Sequence, residues 1–197
     1  MPNHVVDFPD TYRDIPLPRL LEAYREGPSR LRAVLVGLSE EELDGHLRPG
    51  KWSIRENVVH VVDSELVGAV RFRLTYAEPA SVLPFYDQDR WAVALRYGAV
   101  GEAGIADVLD LFSLLRRTTL PLLEAAAPEE WEREGHHPGH GVLTLRQLLE
   151  LYADHSEWHV WRILDMREAL EKPLDLPMLL PDRLFGEVAA LGPGSAG

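Results

Sequence analysis

The hydrophobic pattern is strongest near the carboxyl end. Leu145, Leu148, Tyr152, His155, His159, Arg162 and Met166 are spaced 3, 4, 3, 4, 3 and 4, which is one face of a helix turned toward a core. Thr144-Leu-Arg-Gln147 opens that segment as a capping box, and the pattern predicts a helix to about Leu170. Ile105, Val108, Phe112, Leu115, Thr119 and Leu122 repeat the spacing and predict a helix from Ile105 to Ala126, kinked at Pro121. Ser53-Ile-Arg-Glu56 is a second capping box, opening a helix to about Tyr76. Near the start, Leu20, Leu21, Tyr24, Leu31, Val34, Leu35 and Leu38 are interrupted by Gly27-Pro28. This predicts a short helix, a break, and a longer helix from Pro28 to Leu38, with Ser39 capping one further turn.

Between these segments lie a loop at 44–51, a long connection at 79–104 and a Gly/Pro loop holding His136, His137 and His140. No strand is predicted. Four amphipathic helices without a sheet bury their stripes best as a bundle. The expected fold is therefore all-α, a four-helix bundle in which the 79–104 connection can act as a crossover. A connection of that length is often functional. Residues 1–11 read as an N-terminal arm, 12–172 as the bundle, and 173–197, with four prolines and the ending GPGSAG, as a loosely packed Pro/Gly-rich extension.

Composition narrows the chemistry. The 197 residues include no cysteine, which excludes disulfides, zinc ribbons, iron–sulfur clusters and a cysteine nucleophile. Any metal must be held by His, Asp, Glu or main-chain oxygen. With 20 Lys+Arg against 32 Asp+Glu, the net charge is −12, which argues against nucleic acid and anionic membranes as partners. No signal-peptide pattern or apolar run of membrane-spanning length is present, so a cytoplasmic protein is expected.

Two histidines and an arginine occupy positions on the 145–166 stripe where an ordinary bundle places leucine. His155 and His159 are one turn apart, so their rings share a face and can share a metal. His60 lies in the apolar segment Val58-Val-His-Val-Val62 and shares a face with Ser64, Val67 and Arg71. If that face meets the other, three imidazoles form a site with coordination positions left open; zinc, nickel and iron(II) all accept imidazole. Asp63 can orient a ligating ring from behind. His155-Ser-Glu-Trp-His159 is not the HExxH motif, because Glu157 points away from the shared face. Arg71 and Arg162 can clamp a carboxylate or phosphate; the alternative is a structural salt bridge to Asp63, Glu65 or Glu157. His136, His137 and His140 read as solvated turn residues, and Trp91, Trp158 and Trp161 as packing residues.

Four ordered blocks carry a resemblance: RPGKWSIRENVVHVVDSE (48–65), RFRL (71–74), PFYDQDRWA (84–92) and HPGHGVLTLRQLLELYADHSEWHVWRI (137–163). With the Leu31–Leu43 segment they span roughly 12–170. The chain resembles the DinB-like, YfiT-type family of metal-binding four-helix proteins, also described as metal-dependent hydrolases. The resemblance implies a bundle of unusual connectivity and a nickel or zinc ion. That ion is held by one histidine of the second helix and a His-x3-His of the last, positions that fall on His60, His155 and His159. It also implies a homodimer. Some relatives transfer a low-molecular-weight thiol, bacillithiol or mycothiol, to an electrophile. Trp158 stands where many relatives carry a further histidine.

Three functions follow as expectations. The first is a metal-dependent enzyme that transfers a low-molecular-weight thiol to an electrophilic small molecule. The second is a metal-dependent hydrolase. The third is a non-catalytic metal-binding stress-response domain.

Overall fold

The computed structural model describes residues 15–180; the expected arm at 1–11 and the tail from 181 onward lie outside the described residues. Four long helices form the bundle: α1 (Leu17–Ala33), α3 (Ile54–Ala77), α5 (Glu102–Glu124) and α6 (Leu145–Ala169). Two short helices, α2 (Glu40–Asp44) and α4 (Gln88–Ala94), sit in the connections. A two-stranded antiparallel hairpin, β1 (Glu134–His137) and β2 (Gly141–Thr144), precedes α6.

Both capping boxes form as the sequence predicts. Ser53 and Glu56 exchange bonds at the start of α3, and Thr144 and Gln147 do so at the start of α6. A third, Ser39 with Glu42, opens α2. Each satisfies two amide N–H groups that the first turn of a helix leaves without partners.

α1 packs chiefly on α5 and α6, and so does α3, so α1 and α3 face each other across a diagonal. Cross-links set the directions. Ile15, Arg30 and Val34 meet Arg146, Glu157 and Arg167 in order, so α1 and α6 run parallel. Arg25 and Arg32 meet Glu124 and Asp110, so α5 runs against α1. Asn57, His60 and Arg71 meet His159, His155 and Tyr152, so α3 runs against α6. α3 and α5 are thus parallel neighbours, and residues 78–101 must return along the length of the bundle to join them. This is the crossover that the long connection allowed.

Three details differ from the sequence reading. α1 is continuous through Gly27-Pro28 and ends at Ala33. Pro28 has no N–H to give the carbonyl of Tyr24; Arg116 fills that position, its Nη1 donating to Tyr24 O at 2.7 Å. Gly27 makes room for the same guanidinium, because a Cβ there would lie 2.1 Å from Arg116 Nη1. A glycine and a proline that read as a break therefore form the seat of a buried arginine. The predicted loop around His136–His140 is the β1–β2 hairpin, and the start of the crossover joins it through a parallel bridge between Val82 and His136. The 79–104 connection holds α4 and a 3-10 turn at Tyr97–Ala99.

The core consists of two apolar clusters. One gathers Leu20, Tyr24, Phe72, Leu123, Leu148 and Tyr152. The other gathers Leu31, Ile54, Val58, Phe112, Val160 and Ile163. Between them lies a polar layer. Glu65 accepts from Tyr24 and from Nε and Nη2 of Arg116 at 3.0 and 2.9 Å. Arg116 also donates to Ser156 Oγ and to Tyr152 O. Arg30 and Glu157 form a buried bidentate pair, which holds the chain beyond α6 through Pro177 O and Leu179 N, each at 2.8 Å. Among the described residues, no helix is long and apolar enough to cross a membrane.

Candidate metal centre

His60 from α3 and His155 and His159 from α6 meet in the buried half of the bundle. Their side chains are 4% exposed or less. Nε2 of His155 lies 3.0 Å from Nε2 of His60 and 3.1 Å from Nε2 of His159. One nitrogen from each ring falls within 4.8 Å of the other two.

The partners of the outer nitrogens decide what the inner ones offer. Asn57 donates Nδ2–H to Ser53 O at 2.7 Å, which turns its Oδ1 toward His159. Nδ1 of His159 must therefore carry the proton and donate it at 2.9 Å. His60 is fixed by a longer chain of bonds. The Tyr86 hydroxyl lies 2.9 Å from Nδ1 of His60 and 3.3 Å from the Tyr97 hydroxyl, and Tyr97 interacts in turn with the Asp63 carboxylate. Burial pushes the hydroxyl pKa of both tyrosines far up, so both remain donors. Nε2 of His159 thus carries a lone pair and no proton.

Electrostatics point the same way. Burial first, and then neighbouring histidines and Arg162, hold His60 and His159 well below the ordinary histidine pKa. Burial with Arg116 takes His155 down to about 3. All three rings are neutral, the form that binds metal.

These residues fit a divalent cation. Two imidazole nitrogens about 2.1 Å from a shared ion, at right angles, lie about 3.0 Å apart. A single proton on Nε2 of His155 cannot serve both of its close contacts well, and lone pairs left facing one another in a dry setting repel; a cation between the nitrogens relieves that. The three histidines that the periodicity singled out are thus brought together.

Beside the trio is a cavity of about 120 Å³ whose walls include His60, His155, Arg71, Tyr86, His137 and His140. Arg71 is 5% exposed. Its Nη1 donates to Tyr152 OH at 2.9 Å and its Nη2 to Pro84 O at 2.7 Å, so its charge is held in place without a carboxylate partner among the described residues. Gly68 allows this close approach of α3 and α6, since a Cβ there would meet the Tyr152 ring at 2.4 Å. His137 and His140 correct the solvated-turn reading. The hairpin folds them against the cavity with rings 4.6 Å apart. Burial, Arg71 and His140 push His137 down to about 3, and burial and Arg71 lower His140. Nδ1 of His137 accepts N–H from Gly139 and His140, each at 3.1 Å, which places its proton on Nε2.

The remaining predicted residues are distributed differently. Asp63 is half-buried and reaches His60 only through Tyr97 and Tyr86. Arg162 lies on the far side of the trio, its guanidinium 4.7 Å above the Trp158 ring. Neither Arg71 nor Arg162 takes the salt bridges considered for them, because Glu65 belongs to Arg116 and Glu157 to Arg30. Trp91 does pack, standing edge-on to Tyr86. Sequence reasoning missed Tyr86, Tyr97, Asn57, Arg30 and Arg116. Asn57, three residues before His60 on the same helix, is the one whose spacing could have shown it.

A bundle with one long crossover and three buried imidazoles aimed at a common point defines a metal-binding four-helix protein. The chain belongs to the DinB superfamily, which its residues 23–163 match. A relative from Bacillus licheniformis is 32% identical over 148 residues, covering 71% of this chain and 78% of its own. One from Halalkalibacterium halodurans is 31% identical over 136 residues, covering 69% and 77%. Both relatives' names contain the words "metal-dependent hydrolase". Among solved structures, YfiT from Bacillus subtilis, described as having "an unusual four-helix bundle topology", matches with a TM-score of 0.73 at 24% identity, covering 78% of this chain and 87% of its own. A mycothiol-dependent maleylpyruvate isomerase matches with a TM-score of 0.60 at 15% identity, covering 77% and 62%.

Proposed function

We propose that this protein is a divalent-metal-dependent enzyme that transfers a low-molecular-weight thiol to an electrophilic small molecule. The observation that carries the proposal is the convergence of three neutral imidazole nitrogens beside a cavity walled by an anchored arginine that has no carboxylate partner among the described residues. His60, His155 and His159 would hold nickel, zinc or iron(II). When bound, such an ion supplies Lewis-acid chemistry that lowers the pKa of a thiol or water beside it.

The protein's own residues then have separable tasks. Asn57 and Tyr86 fix the tautomers of His159 and His60, keeping their Nε2 lone pairs directed inward. Arg71, held by Pro84 and Tyr152, offers positive charge to a carboxylate of the incoming molecule. His137 offers its Nε2–H as a hydrogen-bond donor. Since the chain has no cysteine, the sulfur must arrive with a cofactor. The mycothiol-dependent structural neighbour favours the same reading.

A metal-dependent hydrolase is the second reading, favoured by the names of the relatives. Against it, no carboxylate among the described residues lines the cavity as a general base. A homodimer in the cytoplasm belongs to the proposal, and sedimentation would test the dimer. The deciding assay supplies metal-loaded protein with bacillithiol, mycothiol or cysteine and a chlorobimane electrophile. Thiol-dependent conjugation lost in His155→Ala supports transfer. Ester or amide turnover without any thiol, equally lost in His155→Ala, replaces it with hydrolysis.

A further inference from the structure

On the opposite side of the histidine layer from Arg71 lies a second cavity, of about 310 Å³. Its walls include three of the five tryptophans of the chain, Trp52, Trp158 and Trp161, together with Arg48, Lys51 and Arg162. Leu47 and Met166 add further apolar surface. Trp52 comes from the loop before α3, whereas Trp158, Trp161 and Arg162 come from α6, so two elements distant in sequence build the cavity.

Its charge is opposite to that of the whole molecule. In a chain of net charge −12, this cavity has three cations and one carboxylate, that of Asp165. Asp165 approaches Arg48 at 3.7 Å. Arg162 has no carboxylate in ion-pair contact among the described residues. It lies instead over the face of Trp158, partly desolvated, and burial and the charge of Arg48 lower its pKa against the opposing pull of Asp165. Three cations against one carboxylate leave a net positive charge beside a wall of indoles, which favours an incoming anion. Trp161 is 36% exposed, a large amphipathic ring at the edge of the cavity.

Indoles take a flat ring, and paired guanidiniums take a planar carboxylate. We propose that this cavity binds an aromatic carboxylate, its ring against Trp52, Trp158 and Trp161 and its carboxylate on Arg162 and Arg48. The site is distinct from the cavity of Arg71. Binding there does not require an ion at the trio, so this proposal stands or falls apart from the thiol-transfer reading. The two sites nevertheless touch. The ring of Trp52 is 4.7 Å from that of His60, and Trp158 is 4.7 Å edge-on to His159.

The test is titration of the full-length chain, stripped of metal with EDTA, with 2-naphthoate and with neutral 2-naphthamide. Binding is read by tryptophan fluorescence and by calorimetry. The expected result is saturable quenching, with naphthoate bound at least about tenfold more tightly than the amide. Arg162→Gln and Arg48→Gln should each lose most of that preference, and Arg71→Gln should keep it. Both positions are at the surface, and matching thermal melts show that the variants are folded; should one fail to fold, the other gives the same reading. Equal affinity for acid and amide overturns the proposal. So does a loss of binding in Arg71→Gln but not in Arg162→Gln. Quenching that weakens as protein concentration rises would assign the face to a second copy of the chain and overturn it too.

Discussion

The hydroxyl of Tyr86, carried by the crossover, lies 2.9 Å from Nδ1 of His60 on α3. When this hydroxyl accepts from the imidazole, the His60 lone pair at Nε2 is directed inward. The contact explains why the crossover passes over the bundle at this height. Tyr86→Phe removes the acceptor and frees the ring to take the other tautomer. Affinity for a divalent ion should fall about 10- to 100-fold, measured by competition with a chromophoric chelator. Unchanged affinity would show that the chain from Asp63 to His60 does not orient the ring.

Arg116 is the electrostatic centre of the polar layer, 2% exposed and bonded to α1, α3 and α6. Arg116→Met leaves Glu65 buried with only Tyr24 as a donor, and the carbonyls of Tyr24 and Tyr152 lose its N–H groups. The loss expected in urea denaturation is about 3–5 kcal/mol. The double variant Arg116→Met/Glu65→Met should recover part of it, because removing both charges leaves neither uncompensated.

Stability should fall with acid, and His137 shows why. In the unfolded chain its imidazole takes a proton near pH 6.5, whereas in the fold burial, Arg71 and His140 hold it at about 3. Between those values the unfolded state binds more protons than the folded state. Stability is therefore full above about pH 6.5 and declines as the pH is lowered toward 3. His137→Asn retains an acceptor for the Gly139 and His140 amides but no titrating group. Urea midpoints at pH 7 and pH 5 should differ less for this variant than for the parent protein.

Much of the site was legible because helices are periodic. His60, His155 and His159 stand at core spacing on helices whose starts are marked by capping boxes, which put each on an inward face; that the two faces meet is seen only in the structure. The crossover was foreseeable from the length of its connection. Tyr86 and Tyr97 were not assignable, since an irregular chain has no period to say which side chains turn inward. Arg116 escaped notice because it flanks the apolar stripe of α5 beside Leu115, a position that reads as solvated unless a buried Glu65 is known to await it. Gly27-Pro28 misled for the same reason. A proline inside a helix looks like a break until a side chain from another helix is seen to satisfy the carbonyl it leaves. His137 and His140 depended on the hairpin, whose four-residue strands are too short to show alternation.

The central claim is that three histidines form a metal centre, and elemental analysis of the purified protein tests it most directly. Protein prepared under metal-replete conditions should carry about one divalent ion per chain, and His155→Ala, at the same concentration and fully folded, should carry none. A parent protein that holds no ion under those conditions, or a His155→Ala variant that retains a full complement, would contradict the account.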